Sequence, residues 1–373
     1  MKNKLNILYY SPIIPDLLKD SGKPTGGAAV EWNIWLKAFK KLGHKVGILT
    51  WEGAANYIGK EVEYDIVESY NDKKGIPKLR IIYNFIPNYI KAIISYGTDV
   101  LAMEASVDRA GLLAIITRLL GKKFVYRIAS DMDVDGRLIN NFSKIVLITF
   151  NFALRLSNHI SCQNEYQYSM LKKKYPKKSI SILYNPFIIR EINLPEKREN
   201  YIAWIGNFRY EKNLPALAKI AAKLPGIKFK IAGSKFTTVD DDTKIGLAEL
   251  EKLQNVDFVG YISNDDIPSF LSNAKILLNT SRLEGFSNTF LEAWSVGTPI
   301  VTTKNVNPDN IIGKFNLGKV AEDYDKIPEI IKKIFNYSEK EMKEISLRCI
   351  NYIKEHHDYI ALAKKFINEI KAV

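Results

Sequence analysis

Two glutamates eight positions apart, Glu284 and Glu292, stand in the segment Ser281-Arg282-Leu283-Glu284-Gly285-Phe286-Ser287-Asn288-Thr289-Phe290-Leu291-Glu292-Ala293-Trp294-Ser295-Val296-Gly297-Thr298-Pro299. At about 100° per residue, that spacing returns to nearly the same face of a helix, so both carboxylates can serve one ligand. A carboxylate accepts hydrogen bonds from a vicinal pair of hydroxyls, which is what sugars and ribose present. Two glutamates near a helix are ordinarily a solvated face or a cap. Upstream, Trp204-Ile205-Gly206-Asn207-Phe208-Arg209-Tyr210-Glu211-Lys212-Asn213 sets two cations, Arg209 and Lys212, just beyond an apolar run. A guanidinium fork and an ammonium point charge together suit a diphosphate that gains negative charge as a bond breaks. Asp131, Asp133 and Asp135 alternate in a third segment, a pattern that can ligate Mg²⁺ or Mn²⁺.

These groups need a frame. Leu5 to Tyr10 reads as a strand, Ser11 to Gly27 as a Pro/Gly loop, the stretch to Leu42 as a helix ended by Gly43, and Val46 to Thr50 as the next strand. That is a βαβ opening and implies a parallel sheet. Alternation continues to Ser179–Leu183; a turn at Tyr184–Phe187 and a charged stretch from Arg190 to Asn200, broken by Pro195, then read as a linker. A second series of strands follows at Tyr201–Ile205, Lys228–Ala232, Val256–Val259, Ile276–Asn279 and Pro299–Thr302, with helical segments between. The expected fold class is α/β, with two Rossmann-like doubly wound domains over 1–190 and 191–350 and a C-terminal helix within 351–373, roughly Tyr352 to Lys371. In such sheets ligands bind at the carboxyl ends of the strands, against helix N-termini that present N–H groups. Glu284 falls in one of these turns and Glu292 on the helix after it.

The run EGFSNTFLEAWSVGTP closely resembles the paired-glutamate motif of the retaining glycosyltransferases of the GT-B fold, the large family four class. The resemblance implies two domains facing a cleft, a C-terminal helix crossing back to the first, and metal-independent transfer of a sugar from a nucleotide diphosphate sugar to an acceptor hydroxyl, with no cofactor. It places Glu284 on the donor sugar and Glu292 on the ribose hydroxyls, with Gly285, Phe286, Ser287 and Asn288 around the sugar and diphosphate. The Gly206-Asn207 loop resembles the family's Gly-Arg loop. Lys212 matches its lysine, but Asn207 holds the arginine position; either Arg209 supplies the guanidinium, or Lys212 works with a helix dipole alone. Gly26-Gly27 resembles the N-terminal glycine loop on the donor, Gly233-Ser234-Lys235 the base region, and Leu42 to Val46 a structural turn in which His44 is not catalytic. Asp131 or Asp133 is the acceptor-side candidate. The rival reading is a paralogue that binds a nucleotide sugar without turning it over, motivated by Asn207. A nicotinamide dehydrogenase is disfavoured, since its glycine fingerprint is absent from Ile7 to Gly27.

Composition narrows the setting. At 373 residues and 46% hydrophobic content the chain can bury two cores. Cys162 and Cys349 lie far apart with no CxxC pair, so a disulfide framework and a zinc site are unsupported and a reducing cytoplasm fits. No signal peptide is read at the N-terminus, and Ile145 to Leu156 is too short to span a bilayer. Residues 1–190 hold 28 Lys+Arg against 16 Asp+Glu, leaving 26 against 25 in 191–373, so nearly all of the net +13 sits in the first half. That asymmetry, with the run Lys172, Lys173, Lys174, Lys177 and Lys178, points to an anionic membrane surface on its inner face and a glycan or lipid-linked acceptor. Nucleic acid is not expected, as no reading motif accompanies the charge.

Overall fold

The structure, a computed structural model, describes residues 4–19, 27–77, 79–190, 195, 198–234 and 239–373. Gly26, Lys235 and much of the charged stretch after Arg190 lie outside the described residues. Two units form: Met1–Pro186 with Tyr359–Val373, and Phe187–Asp358.

In the first unit the strands are β1 Asn6–Tyr10, β2 Lys45–Trp51, β3 Asp65–Tyr70, β4 Val100–Glu104, β5 Lys123–Arg127, β6 His159–Cys162 and β7 Ile180–Ile182. They pair in the order β3-β2-β1-β4-β5-β6-β7, every described pair parallel. Alternate residues divide between two cores. Leu8, Tyr10, Leu101, Met103, Phe124 and Tyr126 pack under the helices Ile86–Ser95, Val107–Leu119 and Lys144–Leu156. Ile7, Tyr9, Val46, Ile48, Val100 and Val125 pack under Gly27–Lys41 and Tyr359–Ala372. A sheet covered on both faces needs apolar residues at every position, which is why these strands read as short unbroken apolar runs. Gly43 ends the Gly27–Lys41 helix at φ 81°, a left-handed conformation that favours glycine. Next to it, the Nδ1 of buried His44 accepts the Leu5 N–H at 3.0 Å, a structural role.

The C-terminal segment differs from the single helix expected over Tyr352–Lys371. Glu339–His356 and Tyr359–Ala372 are separate helices, and the unit boundary falls after Asp358 rather than at 350. The interruption is tertiary in origin: the buried His357 carbonyl accepts the Phe187 N–H at 2.8 Å, and Phe187 bridges Asp358. The second helix returns to the first unit, where Phe366 packs edge-on against Trp32 and Trp35.

The second unit has β8 Tyr201–Ile205, β9 Lys228–Ala232, β10 Val256–Gly260, β11 Ile276–Leu278, β12 Ile300–Thr303 and β13 Gly318–Ala321, parallel, in the order β10-β9-β8-β11-β12-β13. Arg198, within the expected linker, is no solvated charge. Its guanidinium donates to the Ser272, Ala274 and Val296 carbonyls and to Thr298, fastening the entry of β8 to the turns around it.

Candidate active site

Strand order reverses between β8 and β11, so the loops after these two strands diverge and leave the crevice where doubly wound sheets take ligands. The β8 loop carries Lys212 and the β11 loop carries Glu284. Lys212 Nζ lies 2.5 Å from Glu284 Oε1, with both side chains largely buried. Ser281 Oγ donates to the same oxygen, and Asn279 Nδ2 lies 3.4 Å from it. Burial by itself would raise the Glu284 carboxyl; the Lys212 ammonium and the hydrogen bonds from Lys212, Ser281 and Ser287 outweigh it and bring the group down to about 2. Glu284 is therefore a fixed negative charge at any physiological pH.

Glu292 behaves in the opposite way. It sits on the Asn288–Ser295 helix, where burial pushes its carboxyl up to about 7, against a lowering by Lys212. Its Oε2 atom is closed off from solvent and has no hydrogen-bond partner. Buried polar atoms are nearly always satisfied, so an orphaned carboxylate oxygen beside an ion pair marks a place for donor groups such as hydroxyls. Ser287, which precedes the helix in an extended conformation, does not cap it; its hydroxyl pairs with Thr289 Oγ1 at 2.9 Å.

Side chains from both loops hold this arrangement. Thr280 Oγ1 donates to the Lys212 carbonyl at 2.8 Å and accepts from Trp204 Nε1 at 3.0 Å. Arg282 reaches across to the β8 loop. Its guanidinium donates to Tyr210 O, Asn213 Oδ1 and Asp242 Oδ2 and lies 3.9 Å over the Tyr210 ring, while its N–H bonds the Glu211 carbonyl. Gly206 is required by proximity, since a Cβ there would stand 3.1 Å from the Trp204 ring and 3.3 Å from Lys212 Cδ. Arg282→Ala is expected to cost the second unit about 1–2 kcal/mol, with Arg282→Lys restoring only part, because a point charge cannot replace a fork shared among three acceptors. Chemical denaturation measures it; equal stability of all three proteins would make the cross-links incidental.

The family model described as glycosyl transferases group 1 matches residues 187–356, nearly the whole of this second unit. The second unit is thus similar to the group 1 glycosyl transferases. Among curated relatives, it is 26% identical over 133 residues to O-antigen chain mannosyltransferase B of Escherichia coli, a stretch covering 35% of each chain. It is also 26% identical over 245 residues to GDP-Man:Man(3)GlcNAc(2)-PP-Dol alpha-1,2-mannosyltransferase of Dictyostelium discoideum, covering 60% of this chain and 46% of that one. The matches thus span less than half the length of these relatives. Over 99% of both chains it shares the fold of sucrose-phosphate synthase from Thermosynechococcus elongatus, at a TM-score of 0.77 and 15% identity.

Within this second unit, the expected residues separate into groups. Lys212, Glu284 and Glu292 come together, whereas Arg209 is half exposed and pairs with Glu211 on its own turn. Gly206 and Asn207 follow β8, and Gly285 and Asn288 flank Ser287. Phe286 is buried, its ring 5.5 Å from that of His357, so its side chain anchors the loop in the core. Arg282, Asn279 and Ser281 escaped the sequence reading; the one available signal was a cation directly after a strand that faces an acid-bearing loop.

In the first unit, Gly27 opens its helix, and Gly26 is outside the described residues. Asp131 and Asp133 lie at the turn after β5, each already engaged. Asp133 accepts the Ala129 and Ser130 N–H groups, and burial pushes it up to about 6; Asp131 accepts from Asn164 and Gln167. Asp135 pairs with Arg137. Their short helix turns the three carboxylates apart, and among the described residues no cluster of three or more His, Cys, Asp or Glu side chains is arranged to hold a metal ion.

A second network was not foreseen. At the ends of β4 and β5, Arg127 Nε stands 2.5 Å from Glu31 Oε1 and 3.8 Å from Glu104 Oε2, with all three side chains nearly or fully buried. Trp32 Nε1 donates to Glu104, Trp35 Nε1 donates to Glu31, and Arg127 also binds the Leu183 carbonyl and Asn185. Burial, followed by the neighbouring Glu31, raises the Glu104 carboxyl well above the usual range, against lowering by Arg127 and the Trp32 hydrogen bond.

Proposed function

We propose that the chain transfers a sugar from a nucleoside diphosphate sugar to an acceptor hydroxyl, with retention of anomeric configuration and without a metal ion, in assembly of a surface glycan. The observation that carries this reading is the Lys212–Glu284 pair at the switch point of the second sheet, with the orphaned Glu292 oxygen within electrostatic reach of the same ammonium. Glu284, held ionised, accepts hydrogen bonds from the donor sugar. Lys212 and the first turn of the Asn288–Ser295 helix stabilise charge on the diphosphate as the anomeric C–O bond breaks. The acceptor oxygen forms its bond to the same face of that carbon, and its proton passes to the departing diphosphate. Glu292 takes the ribose hydroxyls, the backbone from Gly206 to Asn207 and from Gly285 to Asn288 surrounds the phosphates, and Asp131 or Asp133 is the candidate for the acceptor. Arg209 is the reserve cation.

One observation favours the rival reading of binding without turnover: Asn207 stands at the arginine position and Arg209 pairs with Glu211. Relatives support a sugar donor without fixing its base, since one is named for GDP-mannose and the Anabaena protein HepE, a fold neighbour, holds UDP. A calorimetric panel of UDP- and GDP-sugars tests the donor site, and affinity for none of them would refute it.

Donor binding also carries a pH signature. A Glu292 carboxyl near 7 is half protonated at neutrality, and only its ionised form accepts from two ribose hydroxyls. Affinity for the nucleoside diphosphate therefore rises by about three- to tenfold between about pH 6 and pH 8, as the proton leaves. Glu292→Gln binds more weakly and flattens the profile. A wild-type profile already flat, or one that falls with pH, contradicts the ribose assignment.

A further inference from the structure

We propose that the outer side of the helical layer Ile86–Ser95, Val107–Leu119 and Lys144–Leu156 docks the first unit on an anionic phospholipid surface. The three helices cover one face of the first sheet, and their inward residues fill one core. Their outward sides mix exposed basic residues with large apolar ones. Ile94, Leu119, Ile145, Ile148 and Phe152 are exposed, Leu119 at 81% and Ile145 at 74%, and Ile82 joins them from the turn before the first helix. On Lys144–Leu156 the spacing of Ile145, Ile148 and Phe152 draws one solvent-facing stripe, opposite the buried Phe150, Ala153 and Leu154.

Charge selects the partner. Over 81–95, 107–119 and 144–156 the bases are Lys91, Arg109, Arg118, Lys144 and Arg155, whereas the one acid, Asp108, faces Arg109 at 3.4 Å. An apolar stripe edged by cations, on helices too short to cross a bilayer, is the signature of a helix lying in the headgroup plane. Among the described residues no helix is long and apolar enough to span. The lysine run expected to make this contact is largely engaged elsewhere. Lys172 Nζ bonds the Lys178 carbonyl, Lys174 Nζ bonds Asn151, and Lys178 Nζ bonds the Arg155 and Ser157 carbonyls at the end of the Lys144–Leu156 helix. Lys178 thus caps that helix, whose outer stripe faces the lipid in this proposal.

The test is cosedimentation of the full chain with phosphatidylcholine vesicles, with and without phosphatidylglycerol. Binding is expected on the anionic vesicles alone and should weaken with salt. The Ile145→Ser, Ile148→Ser, Phe152→Ser triple variant should lower vesicle affinity by at least about tenfold, as should Lys91→Ser, Arg118→Ser, Lys144→Ser. Ile245→Ser, at an exposed isoleucine of the second unit, should change nothing. Nucleoside diphosphate affinity measured on the same proteins reports folding and the donor site, so a failed docking face and a failed transferase reading give different results. Equal binding to neutral and anionic vesicles, binding to neither, full binding by the apolar triple variant, or a dimer that this variant dissociates would each overturn the proposal.

Discussion

Lys212→Met lowers turnover by roughly a thousandfold, the loss typical of removing one preorganised charge from the place where negative charge develops. A second consequence makes the result specific. Without the ammonium at 2.5 Å, burial acts on Glu284 unopposed by its main counter-charge, and its carboxyl rises from about 2 towards protonation. Whatever activity remains should then increase with pH, as the wild-type Glu284 never does, and Lys212→Arg should recover part of the rate with the wild-type profile. Steady-state rates at several pH values read both effects. Turnover within a few-fold of wild type in Lys212→Met would move the leaving-group role to Arg209.

The first unit should respond most to Arg127. Replacing it with methionine leaves Glu31 and Glu104 facing each other without a cation in a site closed to water, and such one-sided loss of a buried ion pair costs about 3–5 kcal/mol. Glu104→Gln should cost far less, because burial beside Glu31 already disfavours the charged form of that carboxyl and an amide keeps its shape. Trp32 and Trp35 stand in the network, so their fluorescence during denaturant unfolding follows this unit. Equal losses for the two variants would mean that the Glu104 charge matters as much as that of Arg127, against the raised carboxyl described above.

What could be read from the residues depended on range. β8 through β12 were visible because buried parallel strands are short apolar runs punctuated by Gly and Pro, a local pattern. Glu284, Glu292 and Lys212 stood out through their resemblance to family motifs, since by residue type alone two glutamates near a helix read as a solvated face or a cap. The networks that hold them were not, because their partners are remote. Arg127 meets Glu31 across 96 positions, and Arg282 meets Tyr210 across 72. Nothing local in Glu31 or Glu104 distinguishes a network member from a solvated acid. The contacts of Lys172, Lys174 and Lys178 were equally hidden, since a local charge count does not reveal which ammonium groups bond carbonyls or side chains. The break at His357–Asp358 escaped because helical periodicity continues through it; Phe187, far upstream, makes the interruption.

The most direct measurement is release of nucleoside diphosphate, matched against glycoside formed, from whichever donor the chain binds, in excess chelator and an acceptor extract. The account requires one diphosphate per sugar transferred, an unchanged anomeric configuration, and loss of both products in Lys212→Met with donor still bound. Donor bound tightly with no diphosphate released, with or without Mn²⁺, would contradict it and leave a nucleotide-sugar-binding protein; activity that returns only with Mn²⁺ would contradict the metal-free stabilisation assigned to Lys212.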